Sequence, residues 1–145
     1  MYRHILIGLD QSLSAHRALV RAIELASRFG ATLTAMAIVP APPPQAAYAA
    51  AISSEALQII NGDEQDSFVE LLQRARSEAA QRAVEVETVL SDGPVVSSLT
   101  KAVRKHDIDL LVMGIHPDLT PFGWFTASTA HELAVKATCD VLGVH

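Results

Sequence analysis

A nearly continuous apolar run close to the start of the chain, Ile5-Leu6-Ile7-Gly8-Leu9, ends abruptly at Asp10-Gln11-Ser12. Such a run is typical of a strand that is covered on both faces, as strands of parallel sheets are. After the polar turn, apolar residues recur at three- and four-residue intervals as far as Phe29, and Gly30 marks the end of a helix. The chain therefore opens with a buried strand and an amphipathic helix.

The same alternation of strands and helices continues to the end of the chain. The predicted strands cover 32–39, 84–90, 109–113 and 140–144, and the predicted helices cover 68–79, 95–103 and 130–137. Asp92 is a predicted cap of the third helix, with Pro94 in its first turn. Short turns between alternating elements imply right-handed crossovers, and hence one α/β domain (1–145) with a doubly wound, five-stranded parallel sheet and helices on both faces. Residues 40–62 are predicted to be a long connection.

Composition excludes several classes of function. The net charge of −5 offers no basic stripe for a nucleic acid. No apolar stretch approaches the length of a membrane span or of a signal-peptide core. The single cysteine, Cys139, cannot form an intrachain disulfide, which agrees with a reducing compartment. We expect a cytoplasmic protein that binds neither nucleic acid nor membranes.

Several short motifs, taken together, resemble the universal stress protein family. They are Asp10 and Ser12 after the first strand, the Gly93-Pro94 turn, the strand Asp109-Leu110-Leu111-Val112-Met113-Gly114, and the final helix and strand. The resemblance spans almost the whole chain. It implies a sheet of order 3-2-1-4-5, similar to that of adenine nucleotide alpha-hydrolases. It also implies a homodimer in which the last strand, Val141 to His145, pairs antiparallel with its copy.

Family members that bind ATP carry a phosphate loop of glycine, two residues, glycine, nine residues, and glycine followed by serine or threonine. In that register this chain has Gly114, Pro117, Ala127 and Ser128. Proline has no amide proton to donate, and alanine restricts close approach to a phosphate. No lysine or arginine lies between Lys105 and Lys136, and Asp118 adds a negative charge there. We expect ATP binding to be lost or weakened and no cofactor to be needed.

By position, the resemblance assigns nucleotide contacts to Asp10, Val39, Gly114 and Ser128. In the alternative hypothesis these four residues still bind ATP or AMP with Mg²⁺. Each polar residue also has a structural interpretation. Asp10 fits a turn or a helix cap. Ser128 fits a cap of the last helix, and Thr129 with Glu132 has the spacing of a capping box.

The remaining chemically notable residues predict no catalytic or metal site. The six histidines are scattered, and none has the spacing of a zinc ligand pair. His116 lies in the phosphate-loop region, where it could contact a ligand, but the commoner expectation is an exposed loop histidine. Cys139 is expected to be a small buried hydrophobe. Phe122, Trp124 and Phe125 are expected either to pack onto the end of the sheet and fill a nucleotide cleft, or to form an exposed patch or a ligand wall.

Two functional hypotheses follow from the resemblance, and an enzymatic role is not predicted. The first is a stress-induced regulatory or scaffold dimer, acting through protein partners that the sequence does not identify. The second is a nucleotide-binding stress protein. The turn Leu9-Asp10-Gln11-Ser12 lacks the Ser-Gly-Gly-x-Asp-Ser loop of adenylating enzymes with a related sheet, and the chain has no Gly-x-Ser-x-Gly elbow and no Walker loop.

Overall fold

The computed structural model describes residues 1–39, 54–116 and 125–145, with side chains from residue 65 onward in the second of these segments. Within them, five strands alternate with four helices. The strands are β1 (His4–Leu9), β2 (Thr32–Val39), β3 (Val86–Asp92), β4 (Leu110–Gly114) and β5 (Asp140–Val144). The helices are α1 (Leu13–Phe29), α2 (Ser54–Ala80), α3 (Val95–Lys105) and α4 (Ala127–Lys136).

All four strand pairs are parallel, and the strand order is β3-β2-β1-β4-β5. The predicted doubly wound sheet is therefore confirmed. The central strand β1 pairs with β2 through Leu9 and Ala37, and with β4 through Gly8 and Met113. Since all strands run in the same direction, their carboxyl ends lie along one edge of the sheet, called here the carboxyl edge. At this edge the neighbouring strands β1 and β4 end side by side.

Successive side chains of the strands point to opposite faces of the sheet and belong to two hydrophobic clusters, one on each face. On one face, Ile5, Ile7 and Leu9 pack under α1 and α2. On the opposite face, Leu6 packs with residues of α3 and α4, and Phe125 belongs to the same cluster. Both faces are thus covered, as the apolar run at the start of the chain predicted.

Helix ends are set by local hydrogen bonds that the sequence indicated only in part. Ser12 caps α1, since its Oγ accepts the amide of Ala15 at 3.1 Å, and Gly30 ends this helix in the left-handed conformation with φ of 63°. The prediction that Asp92 caps the third helix is wrong. Asp92 is the last residue of β3, Gly93 turns the chain with φ of 104°, and Pro94 occupies the cap position.

The predicted connection over 40–62 is also partly wrong, because α2 already begins at Ser54. Residues 40–53, including the prolines after Val39, lie outside the described residues. None of the helices in the part of the chain that the structure describes is long and apolar enough to cross a membrane.

Candidate functional site

The four residues assigned to nucleotide contacts lie at the ends of neighbouring elements. Asp10 directly follows β1, and Gly114 is the last residue of the adjacent β4. Val39 ends β2 on the other side of β1 and pairs in register with Asp92 of β3. Ser128 is the second residue of α4. The topology therefore brings these positions to the carboxyl edge of the sheet. Asp10 and Gly114 follow or end the adjacent strands β1 and β4, and Val39 ends β2, the other neighbour of β1.

Asp10 is buried despite its position at a turn, with only 1% of its surface exposed. One carboxylate oxygen, Oδ1, accepts the backbone amide of Ser12 at 2.8 Å. This side-chain-to-backbone bond holds the turn that leads into α1. The structural interpretation of Asp10 as a turn residue is thus correct, while the capping of α1 is done by Ser12.

The second carboxylate oxygen of Asp10 faces His116, a residue that the sequence predicted to be exposed. Nε2 of His116 lies 3.5 Å from Oδ2 of Asp10, and only 8% of the His116 surface is exposed. The prediction of an exposed histidine is therefore wrong. The backbone explains the burial, because the amide of His116 donates to the carbonyl of Phe125 at 3.4 Å, and His116 forms a β-bridge with Thr126.

Hydroxyl groups gather at the start of α4, next to this bridge. Thr126 caps the helix, and its Oγ1 lies 3.4 Å from the amide of Thr129 and 2.8 Å from Oγ of Ser128. The predictions of a Ser128 cap and of a Thr129–Glu132 capping box are wrong. Glu132 instead pairs with Lys136 one turn later. Ser128 is exposed on the first turn of α4, two residues after the cap.

Gly114, the surviving first glycine of the phosphate-loop register, has a packing role in the structure. A Cβ placed on it would lie 2.3 Å from the carbonyl carbon of Ser14 and 2.4 Å from the amide nitrogen of Ala15. The first turn of α1 therefore passes directly over the end of β4. This close approach accounts for a glycine at position 114 without a phosphate.

Of the three clustered aromatic residues, the structure describes Phe125. Its ring is 2% exposed and lies over Gly8, where an added Cβ would come within 2.8 Å of Cζ. Phe125 therefore packs into the sheet face covered by α3 and α4, and is not part of an exposed patch. Phe122 and Trp124 lie outside the described residues, as do Pro117 and Asp118.

A cleft of about 470 Å³ opens beside Asp10, between α1 and α2. Its lining combines apolar side chains, Leu9, Leu19, Leu71 and Ala75, with polar ones, Asp10, Gln11, Ser12, His16, Ser67, Glu70, Arg74 and Glu78. Gln11 and Ser67 are hydrogen-bonded to each other across it. His16 lies 3.1 Å from Glu78, and Arg74 lies 3.7 Å from Glu70.

This cleft was missed by sequence reasoning. Ser67, Glu70, Arg74 and Glu78 recur at helical spacing, but a polar stripe of this kind usually marks a solvated helix face. The cleft carries three carboxylates, those of Asp10, Glu70 and Glu78, against the guanidinium of Arg74 and the imidazole of His16. With a neutral imidazole, its lining is therefore net negative.

Cys139 lies on the opposite face of the sheet and is half-buried against the cluster that contains Phe125. Burial raises the pKa of its thiol, and the nearby carboxylates of Asp140 and Asp109 raise it further, against a backbone hydrogen bond with Leu111 that lowers it. The thiolate form is therefore disfavoured. The sequence prediction of a small, unreactive thiol agrees with this environment, although the side chain is less deeply buried than expected.

Comparisons with known proteins agree with this architecture. The sequence pattern of the universal stress protein family matches residues 1–145. Universal stress protein C of Salmonella typhi is 25% identical over 115 residues, which are 79% of this chain and 83% of that protein. Among solved structures, universal stress protein UspA from Lactobacillus plantarum superposes with a TM-score of 0.81 at 24% identity, over 99% of this chain and 98% of that chain.

Two further solved structures contain a nucleotide. A universal stress protein in complex with cAMP has a TM-score of 0.72 and 22% identity, over 99% of this chain and 97% of that chain. The universal stress protein from Archaeoglobus fulgidus in complex with dAMP has a TM-score of 0.66 and 22% identity, over 99% of this chain and 98% of that chain. At 22% identity, the similarity to these two structures shows a shared fold and nothing more.

Proposed function

Because the chain belongs to the universal stress protein family, we propose that it is a cytoplasmic, dimeric regulatory or scaffold protein of the stress response, in which ATP binding is lost or weakened. It works through protein partners and needs no cofactor and no catalytic residue. The observation that carries this proposal is the state of Asp10, whose carboxylate is buried and already in contact with the protein itself.

A nucleotide held at this edge would place hydrogen-bonding groups near Asp10. One oxygen of that carboxylate accepts the Ser12 amide, and the other faces the His116 imidazole. Replacing such contacts by contacts to a ligand gives little net free energy, because one hydrogen bond is exchanged for another. Nucleotide affinity is therefore low unless the phosphates contribute strongly.

The residues around the carboxyl edge of the sheet offer few favourable contacts to the phosphates of a nucleotide. Ala127 stands at the first position of α4, where ATP-binding relatives have a glycine, and Pro117 removes one backbone amide from the loop. The cleft beside Asp10 offers no surplus of positive charge, since its basic side chains, Arg74 and His16, already face Glu70 and Glu78.

The dimer is supported by the position of β5. This strand forms one edge of the sheet, its residues are exposed or half-buried, and Leu142 leaves 37% of its surface exposed. An edge strand with an apolar side chain invites pairing with another strand. Leu142→Glu should convert dimers into monomers in analytical ultracentrifugation. Leu13→Glu, which alters an exposed leucine at the start of α1, should leave the dimer intact.

The alternative function, binding of ATP or AMP with Mg²⁺, is favoured by one observation. Ser128 is exposed on the first turn of α4, where backbone amides of a helix start attract phosphate. The relatives solved with cAMP and dAMP share the fold. In this alternative, Asp10, Val39, Gly114 and Ser128 form the contacts.

Isothermal titration calorimetry with ATP and Mg²⁺, and with AMP, tests the proposal. The wild-type chain should bind ATP only weakly, with a Kd above about 10 mM, so that ATP at low millimolar concentration shifts its melting temperature by less than about one degree. The double variant Pro117→Gly/Ala127→Gly restores the glycines of the loop and should gain affinity for ATP more than for adenosine. Micromolar binding of ATP by the wild-type chain would establish the alternative instead.

A further inference from the structure

The sheet has a second lateral edge, formed by β3, on the side opposite β5. Among the described strands, β3 pairs with β2 alone, in register from Val86 to Asp92. The amides and carbonyls that an edge strand directs away from its sheet can pair with a further strand. Val86, Thr88 and Leu90 lie at alternate positions, so they share the face of β3 that packs against α2. This edge therefore offers main-chain groups together with a defined row of side chains.

Two hollows lie between α2 and this row of side chains, one towards each end of β3. The first, of about 260 Å³, has an apolar lining formed by Val69, Leu72 and Leu90. The second, of about 600 Å³, has an apolar lining formed by Ala80, Ala83, Val84 and Val86. Arg76 lines both hollows, so its side chain lies between two apolar surfaces. The two hollows and the outer edge of β3 are called here the β3 groove.

The charge of Arg76 is not balanced within the described part of the chain. Its Nη2 donates to the neutral Oγ1 of Thr88 at 3.2 Å, and no ion pair is formed with a described carboxylate. By contrast, Arg74, two residues earlier on α2, lies 3.7 Å from Glu70. A guanidinium has five donors in a planar arrangement that matches a carboxylate. Arg76 is therefore suited to an acidic side chain that comes from outside the chain.

The spacing of the groove matches that of an extended peptide. Residues on one face of a strand repeat about every 6.6 Å, and Leu90, Thr88 and Val86 follow this repeat along β3. A strand added beside β3 would direct one side chain to each hollow and the side chain between them to Arg76. Glu85 also lines the second hollow, so an acidic side chain is disfavoured there and favoured at Arg76.

We propose that the β3 groove binds an extended segment of a partner protein, which adds to the sheet beside β3. The segment carries an acidic residue at Arg76 and an apolar residue two positions away on either side. Main-chain hydrogen bonds supply affinity in such strand addition, and the alternate side chains supply specificity. This inference rests on the proposed action through protein partners and specifies the chemistry of the segment that they present.

A second copy of this chain fits the groove less well. Antiparallel pairing of two β3 strands around Thr88 would bring only Val86, Thr88 and Leu90 of the copy to this face. It would also place the two Arg76 guanidinium groups on the same face of the joined sheet, where like charges repel. The charge of the groove therefore favours an acidic segment over a second β3.

The test is fluorescence polarisation with a labelled acidic peptide, Ser-Gln-Val-Thr-Glu-Thr-Val-Gln-Ser, and with a second peptide that has lysine in place of the glutamate. The wild-type chain should prefer the acidic peptide. Arg76→Glu should bind it about fivefold more weakly and should prefer the lysine peptide, because attraction between partly exposed charges becomes repulsion. Arg76→Gln keeps a donor for Thr88 and removes only the charge, so it should also bind the acidic peptide more weakly.

Two matched variants serve as controls. Arg74→Glu makes the same change of charge on the side of α2 that faces α1, and should leave both peptide affinities within about twofold of wild type. Val69→Glu should weaken binding of the acidic peptide, since it places a charge in the first hollow. Val135→Glu, the same substitution at an exposed valine of α4, should not.

Three results would overturn the inference. They are the absence of saturable binding of the acidic peptide at millimolar wild-type protein, equal affinity of wild type and folded Arg76→Glu or Arg76→Gln, and smaller assemblies of Arg76→Glu in analytical ultracentrifugation. The last result would place a second copy in the groove. The titrations contain no nucleotide, so tight ATP binding by the wild type would refute the proposed loss of ATP binding without changing their outcome.

Discussion

Gly114, at the end of β4, lies directly beneath Ser14, in the first turn of α1. A Cβ at position 114 would come within 2.3 Å of the carbonyl carbon and 2.6 Å of the carbonyl oxygen of Ser14. Both atoms belong to the main chain, so they can move away only if the helix moves. The crossing of α1 over β4 is therefore possible only with glycine at this position.

Gly114→Ala should destabilise the protein by about 1–3 kcal/mol or more, because a main-chain clash cannot be relieved by a rotamer change. Gly143→Ala is the matched control. Its added Cβ would meet Cδ1 of Ile115, the end of a side chain that can rotate, so the loss should be about 0.5–1.5 kcal/mol. Urea unfolding measures both values. A smaller loss for Gly114→Ala than for Gly143→Ala would contradict this account.

The sheet could be predicted because burial on both faces leaves a simple pattern in the sequence. Residues 5–9 form a nearly continuous apolar run, and the structure places this run in the central strand. Element ends were less predictable. Val84 belongs to an alternating pattern and was assigned to a strand, but its amide bonds to the carbonyl of Ala79 and closes the end of α2. The strand β3 therefore begins two residues later, at Val86.

The site was harder to predict, because its contacts join residues far apart in the chain. Asp10 and His116 are separated by 106 positions, and no local pattern links them. Ser128 was a plausible cap from its neighbours alone, yet the β-bridge between His116 and Thr126 starts α4 earlier, so that Thr126 becomes the cap. Tertiary pairing thus decided both assignments.

Asp109 ties the start of β4 to the start of β1, since its carboxylate accepts the amides of Arg3 at 2.8 Å and His4 at 3.1 Å. Burial raises the pKa of this carboxyl, but the two amide bonds and the electrostatic effect of the nearby His4 together outweigh it, and the pKa lies below its ordinary value of 3.8. Asp109→Ala should cost about 1–2 kcal/mol at pH 7, as expected for partly solvated bonds to a charged acceptor.

The pH dependence of that loss has a definite sign. The carboxyl binds protons more tightly in the unfolded chain, so its contribution is fully present above the ordinary value of 3.8 and disappears as pH falls below it, through the lower pKa of the folded chain. The stability difference between wild type and Asp109→Ala should therefore shrink below pH 3.8. A difference that stays constant down to pH 2 would contradict the assignment.

Thr126→Ala should remove the cap of α4 and destabilise the protein by about 1 kcal/mol, because Oγ1 of Thr126 is the side-chain acceptor for the amide of Thr129. Ser128→Ala removes an exposed hydroxyl from the same turn and should change stability by no more than about 0.5 kcal/mol. Thermal unfolding of both variants distinguishes the two residues. A larger loss of stability for Ser128→Ala than for Thr126→Ala would indicate that Ser128, and not Thr126, caps α4.

Phe125 and Phe29 allow the same substitution to be compared in two environments. Phe125 is 2% exposed and packs over Gly8, whereas Phe29 is 39% exposed and meets Tyr2 edge to face, with ring centroids 5.7 Å apart. Phe125→Ala should cost about 3–5 kcal/mol, since it leaves a cavity between the sheet and the start of α4. Phe29→Ala should cost about 0.5–1.5 kcal/mol, the contribution of an exposed aromatic pair. If Phe125 instead lined an open ligand cleft, its removal would leave the free energy of urea unfolding nearly unchanged, and the assignment of this ring to the core would be wrong.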